Sequence, residues 1–208
     1  IGAAMNYKET GQRPKEDEEP IFFLKATSTL CGPNSIVRNP FPCLKWWGEP
    51  ELAVIIKEPL SNASVEEAKS SALGFTLAND ITVENIDQRD HHLPRSKSVN
   101  HFCPLGPWIE TEPVSSDSVV EGFQNGKVAR SGMLKDQIWQ WPRILSEVSK
   151  WLILKPWDVV LTGNPPDYMG GMTTSSPGMR YLEHGDTYTV QIANLGKLEI
   201  TVECGLED

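Results

Sequence analysis

Glu49 and Glu51 stand one residue apart in GEPELAVII, at the mouth of a run over residues 48–56 that is otherwise free of charge. Side chains alternate faces along a strand, so the two carboxylates point the same way, about 7 Å apart. Like charges on one face repel, and burial strengthens the repulsion and raises one carboxyl's proton affinity unless a cation lies between them. A hard divalent ion that prefers oxygen ligands, such as Mg²⁺, Mn²⁺ or Ca²⁺, resolves the conflict; a solvated strand start is the plainer way out. Asp80 closes the apolar stretch GFTLAND, as a third oxygen ligand or as a turn residue after Asn79. Lys97 lies between a polar loop and the apolar HFCPLGP, as a cation beside such a site or as a surface lysine.

A chain of 208 residues with 39% hydrophobic and 23% charged residues must hold these groups in place. Those proportions fit one domain over residues 1–208, large enough to bury a core. The opening IGAAMNY reads as the end of a buried strand, so a segment before Ile1 is expected. A net charge of −9 without a clustered Lys/Arg face argues against nucleic acid. No apolar run reaches the roughly 18 residues of a membrane span, and no signal-peptide pattern is present. A small-molecule ligand and a cytoplasmic location are the expectation. Cys31, Cys43, Cys103 and Cys204 are scattered without a CxxC pair, which indicates neither a zinc site nor a disulfide framework.

The pattern of elements is rich in strands. Residues 8–20 are polar and punctuated by Pro and Gly, as in a surface lid. IFFLKATSTL is strand-like, and four prolines over residues 31–50 argue against regular structure there. ELAVIIKE is the strongest strand, its continuous apolar run indicating burial on both faces. Ser64 with Glu67 forms a capping box that opens a short helix, SVEEAKSSAL. GFTLANDITVEN reads as a strand interrupted by Asn79 and Asp80, and residues 84–100 as a polar loop or short helix. An Asn-Gly hairpin is expected at 125–126. WPRILSEVSKWLIL places Ile144, Leu145, Val148, Trp151 and Leu152 on one helical face. Residues 165–178 read as a long loop, and TYTVQIA with KLEITVE as a terminal hairpin. Short helices among many strands predict an α+β domain that is mostly β.

Eight segments, in order, carry a resemblance. MNY, EPIFFLKATST, GEPELAVII, GFTLANDIT, SKSVNHFCPLGPWI, QNGKVARS, LKPWDVVLTGNP and LEHGDTYTVQI together resemble the fumarylacetoacetate hydrolase family nearly end to end. They point to its smaller branch of acylpyruvate hydrolases, oxaloacetate decarboxylases and hydroxymuconate isomerase/decarboxylases. The resemblance implies a β-roll core with a few short helices, a homodimer, and Mg²⁺ or Mn²⁺ on Glu49, Glu51 and Asp80. It sets Lys97 beside the ion, and Thr162, Gly163, Asn164 and Arg130 around a 2-oxo acid substrate. Catalysis falls to Lys97, Glu49 and Asp80. A polarised 2-oxo group accepts electron density as an enolate, through which acyl C–C hydrolysis, decarboxylation and double-bond isomerisation all pass. Hydrolysis of an acylpyruvate is the nominal reaction. Decarboxylation, isomerisation and dehydration of a sugar-derived 2-oxo acid are its alternatives, and a binding module without turnover is the alternative of another class.

The outer ring departs from the family. Thr10 stands where a lid histidine would, and Arg13 where a glutamate would, in NYKETGQR. TGNP replaces TGTP through Asn164. Arg130 replaces a common glutamine, either as a surface residue or as a salt-bridge partner for a ligand's distal carboxylate. His91 and His92 are proton carriers or exposed loop residues. Trp46 and Trp47 wall the site or pack the core.

Overall fold

The computed structural model describes residues 1–8, 18–41, 44–85, 89–169, 172–174 and 181–205. In chain order the strands are β1 (Gly2–Ala4), β2 (Ile21–Phe23), β3 (Leu30–Cys31), β4 (Ile36–Asn39), β5 (Trp46–Trp47) and β6 (Pro50–Ile56). There follow β7 (Ala72–Asn79), β8 (Thr82–Val83), β9 (Cys103–Glu110), β10 (Val119–Gln124) and β11 (Lys127–Met133). The last five are β12 (Val159–Leu161), β13 (Asp167–Met169), β14 (Met172–Thr174), β15 (Thr187–Ile192) and β16 (Gly196–Cys204). Three helices, α1 (Val65–Ser70), α2 (Pro94–Lys97) and α3 (Trp141–Ser149), interrupt them. The fold is α+β and mostly β. No helix among the described residues is long and apolar enough to cross a membrane.

Two seven-stranded sheets form the body, in the orders β2-β1-β12-β6-β7-β9-β3 and β14-β13-β11-β10-β15-β16-β4. Strand β6 is central to the first, and its alternation decides what each face does. Leu52, Val54 and Ile56 join the main core with Val120 of β10, Val190 of β15 and Ile200 of β16. Ala53 faces the other way, into a small cluster with Ala78, Cys103 and Leu161. Glu51 shares the parity of Ala53. All seven residues of β6 are buried, as its unbroken apolar run implies.

Local signals explain several elements. Ser64 caps α1, its hydroxyl accepting from Glu67 N–H while the Glu67 carboxylate accepts from Ser64 N–H at 2.8 Å. Asn125 and Gly126 take positive φ, and Gln124 pairs with Lys127 across a two-residue turn. The terminal hairpin is β15 with β16. Ile144, Leu145 and Val148 are fully buried on α3.

Other expectations are corrected. Helix α3 ends at Ser149, and Trp151 beyond it is 55% exposed rather than on the buried face. The loop expected over 165–178 contains β13 and β14, because β13 pairs antiparallel with both β14 and the edge of β11. Prolines 33, 40 and 50 do not prevent order: β4 forms between the first two alongside β16, and β5 forms before the last alongside β8, while Pro42 lies outside the described residues. The strand-like IFFLKATSTL is strand at its two ends, Ile21–Phe23 and the start of β3 at Leu30, with a single 3₁₀ turn at Thr27–Thr29 between them. Most of the stretch expected to form a lid, residues 9–17 with Thr10 and Arg13, lies outside the described residues, as does Cys43.

Candidate metal centre

Strands β6 and β7 pair in antiparallel register, Pro50 opposite Asn79 and Glu51 opposite Ala78. One step further along, Asp80 N–H donates to the Glu49 carbonyl at 2.8 Å, so Glu49 and Asp80 face each other just beyond the pair. Directly opposed residues share a face, and so do residues two apart. Glu49, Glu51 and Asp80 therefore converge by register alone. One oxygen from each lies within 4.8 Å of the others. Asn79 locks the corner, its Oδ1 accepting from Glu49 N–H at 2.9 Å.

Lys97 arrives from α2. Asp90 accepts from Ser96 N–H at 2.7 Å at the start of this helix, and Pro94 sits in its first turn. The Lys97 ammonium lies 2.6 Å from Glu49 Oε2 and 2.5 Å from Asp80 Oδ2. It stands between the two carboxylates and bridges them. Lys25, from the segment after β2, places its Nζ 2.5 Å from Asp80 Oδ1. Trp47 Nε1 donates to Glu49 Oε1 at 2.6 Å, and Gly163 N–H donates to Glu51 Oε2 at 2.5 Å.

Burial and charge then set protonation. The interior disfavours an ionised Glu51, and the charges of Asp80 and Glu49 add to that, so its carboxyl lies well above the usual range. Lys97 and the Gly163 N–H pull the other way without prevailing. Burial works against ionised Asp80 too, but the ammoniums of Lys25 and Lys97 hold it below the ordinary value. Burial opposes the charged form of Lys97, yet Asp80 and Glu49 keep it protonated beyond the ordinary lysine range.

The residues fit a divalent ion. Three carboxylates supply hard oxygen donors, a cationic group already stands between two of them, and they come from two strand ends fixed by backbone pairing. The buried Tyr7 hydroxyl, beside Gln137 and in the field of Glu51, has no hydrogen-bond partner among the described residues.

The expected substrate contacts sort differently. The Gly163 N–H is occupied by Glu51, at φ +96°. Thr162 is fully buried, its hydroxyl donating to the Leu52 carbonyl at 3.0 Å and accepting from Gln137 Nε2 at 2.9 Å. It ties β12 to β6. Asn164 is half-buried, its amide on the Pro165 carbonyl at 3.1 Å. The surface position open to Arg130 is ruled out: it is 6% exposed, 3.0 Å from Asp167 Oδ1, and donates to the Pro165 carbonyl. His91 and His92 are exposed. Trp46 is core, stacked on Phe102, whereas Trp47 belongs to the site. Sequence reasoning missed Lys25 and Tyr7 as site groups, and of the two places open to Trp46 and Trp47 the structure gives the core to the first and the site to the second. Lys25 carried a signal, a lone cation ending the apolar IFFL exactly where charge would otherwise be costly.

Fold and site together place three carboxylates that could hold a metal ion at the corner of two paired strands. The chain belongs to the fumarylacetoacetate hydrolase family: the family described as fumarylacetoacetate (FAA) hydrolase C-terminal matches residues 1–203. It is 35% identical over 183 residues to the 2,4-didehydro-3-deoxy-L-rhamnonate hydrolase of Sphingomonas sp. (strain SKA58), covering 86% of this chain and 63% of that protein. The structure resembles the 5-carboxymethyl-2-hydroxymuconate delta-isomerase of Mycobacterium smegmatis with a TM-score of 0.88 at 28% identity, over 99% of this chain and 78% of that one. It also resembles the maleylpyruvate hydrolase of Sphingobium sp. SYK-6, solved with manganese(II) and pyruvate. There the TM-score is 0.79 at 25% identity, over 99% of this chain and 70% of that one.

Proposed function

We propose that the chain is a divalent-metal-dependent enzyme acting on a small 2-oxo acid by way of its enolate. The observation that carries this reading is the Lys97 ammonium held between Glu49 and Asp80 beside buried Glu51. Glu49, Glu51 and Asp80 would hold Mg²⁺ or Mn²⁺. When bound, that ion supplies Lewis-acid polarisation of the substrate's 2-oxo oxygen. Lys97, kept protonated by its neighbours, offers a second positive group to the charge that develops on that oxygen. Loss of CO₂, or of a proton to solvent water, from the adjacent carbon sends an electron pair onto the oxygen; a proton returned from water to carbon completes the turnover. Asn164 and Arg130, joined through the Pro165 carbonyl, are the proposed contacts for substrate carboxylates.

Isomerisation of a double bond or decarboxylation suits these residues best. Acyl C–C hydrolysis also needs a base that activates water, and none of the four histidines makes a described contact with the triad or Lys97. Thr10 stands at the family's lid-histidine position. Hydrolysis of an acylpyruvate is the second reading, supported by the hydrolase names of two of the similar proteins. A panel of oxaloacetate, hydroxymuconate-type dienoic acids and acylpyruvates, assayed by ultraviolet absorbance with Mg²⁺, Mn²⁺ or EDTA, tests both. Metal-dependent conversion of the first two without acylpyruvate cleavage is expected. No turnover of any, with metal-dependent binding of oxalate, would instead define a binding module.

A further inference from the structure

Each carboxylate of the triad has one oxygen held by a donor from outside the cluster. Trp47 Nε1 holds Glu49 Oε1 at 2.6 Å, Gly163 N–H holds Glu51 Oε2 at 2.5 Å, and Lys25 Nζ holds Asp80 Oδ1 at 2.5 Å. The second oxygens of Glu49 and Asp80 both turn to Lys97 Nζ. Asp80 is thus shared by two lysines with different tasks. Lys97 stands where a cation would bind and must yield to it. Lys25 is on the far oxygen of the same carboxylate and need not move; its side chain is only 4% exposed, so no nearby water replaces its partner.

An oxygen engaged this way shares its electron density with the donor and is the weaker metal ligand of the pair. Two-oxygen chelation would set the ion against the donor on that oxygen, and at Asp80 that donor is the buried Lys25 ammonium. Three single oxygens suit the six-coordinate shell of Mg²⁺ or Mn²⁺, with places left for a chelating substrate. Ca²⁺ takes six to eight oxygens and draws readily on both oxygens of a carboxylate.

We propose that Lys25 is a positioning residue that holds Asp80 to one coordinating oxygen and thereby selects small six-coordinate ions against Ca²⁺, with Trp47 doing the same at Glu49. This rests on the metal-dependent reading above. It goes beyond that reading by assigning selectivity to side chains that do not themselves touch the ion.

Isothermal titration with Mn²⁺ and with Ca²⁺, on the purified metal-free chain and three variants, tests it without any activity assay. Lys25→Met removes a charge as well as a donor, so both ions gain affinity, and only the ratio of the two constants reports the number of coordinating oxygens. The wild type is expected to favour Mn²⁺, Lys25→Met and Trp47→Phe each to narrow the ratio about tenfold, and Lys25→Arg to keep it within about threefold. An unchanged ratio in Lys25→Met overturns the proposal. If that variant does not fold, an unchanged ratio in Trp47→Phe, which keeps every charge, overturns it equally. A wild type that binds neither ion defeats the metal-dependent reading itself and the proposal with it.

Discussion

Glu49 and Asp80 face each other just beyond the β6–β7 pair, joined by a backbone hydrogen bond of 2.8 Å and by one ammonium, Lys97 Nζ, at 2.6 and 2.5 Å from their carboxylates. Without a cation at that point, three buried acids would confront one another. The site's stability and its function therefore depend on the same position.

Lys97→Met removes the ammonium and leaves the acids facing each other. Breaking a buried charge pair costs about 3–5 kcal/mol. In a domain of this size the thermal midpoint of the metal-free protein should fall by roughly 6–20 °C. Saturating Mn²⁺ should recover much of that loss, because the ion supplies the missing positive charge. Differential scanning calorimetry with and without Mn²⁺ measures both quantities; a metal-insensitive fall would place Lys97 outside the ion's reach.

Glu51→Gln should act in the opposite direction. The carboxyl is buried and crowded by two like charges, and an amide keeps the acceptor for Gly163 N–H while removing the repulsion. The metal-free variant should gain about 1–2 kcal/mol in urea unfolding while losing metal binding and turnover, a trade of function against stability.

The pH dependence follows from the raised Glu51 carboxyl. A group whose folded value is raised contributes stability below the ordinary carboxylate value of ~4.3. That contribution is lost as pH rises through the folded value, so the metal-free protein should weaken across this window. Metal binding needs the ionised form, so affinity should rise about tenfold per pH unit over the same window, with release of one proton. Titration calorimetry in buffers of different ionisation enthalpy counts the proton; a pH-independent affinity would contradict it.

Gly163→Ala tests the backbone donor. At φ +96° a Cβ is strained, and it would lie 2.7 Å from Asn6 Cβ. Asn6 cannot easily give way, since its side chain binds Thr162 O, Trp139 O and Trp139 N–H. The substitution should cost about 1–3 kcal/mol. By turning the N–H off Glu51 it should also weaken metal binding at least tenfold, the usual effect of losing a donor behind a ligand. Chemical unfolding and metal titration read the two effects separately.

Much of the triad was legible in the sequence because it rests on two local rules, alternation along β6 and a polar residue at the end of β7. The capping box at Ser64 and the Asn125-Gly126 turn were readable for the same reason: each is settled within four residues. What sequence reasoning missed depends on distant pairing. Lys25 reaches Asp80 across 55 positions, and Gly163 reaches Glu51 across 112. Strands β13 and β14 escaped because each is three residues long and set among Pro165, Pro166, Gly170 and Gly171, which read as turn formers until the edge of β11 offers a partner. Arg130 looked exposed since its partner, Asp167, belongs to that same unforeseen strand.

The most direct test is anomalous diffraction from crystals grown with Mn²⁺. A single manganese peak bounded by Glu49, Glu51 and Asp80, with the Lys97 ammonium moved off the axis between Glu49 and Asp80, is the predicted result. Lys97 still lodged there, with manganese elsewhere or absent at saturating concentration, would contradict it.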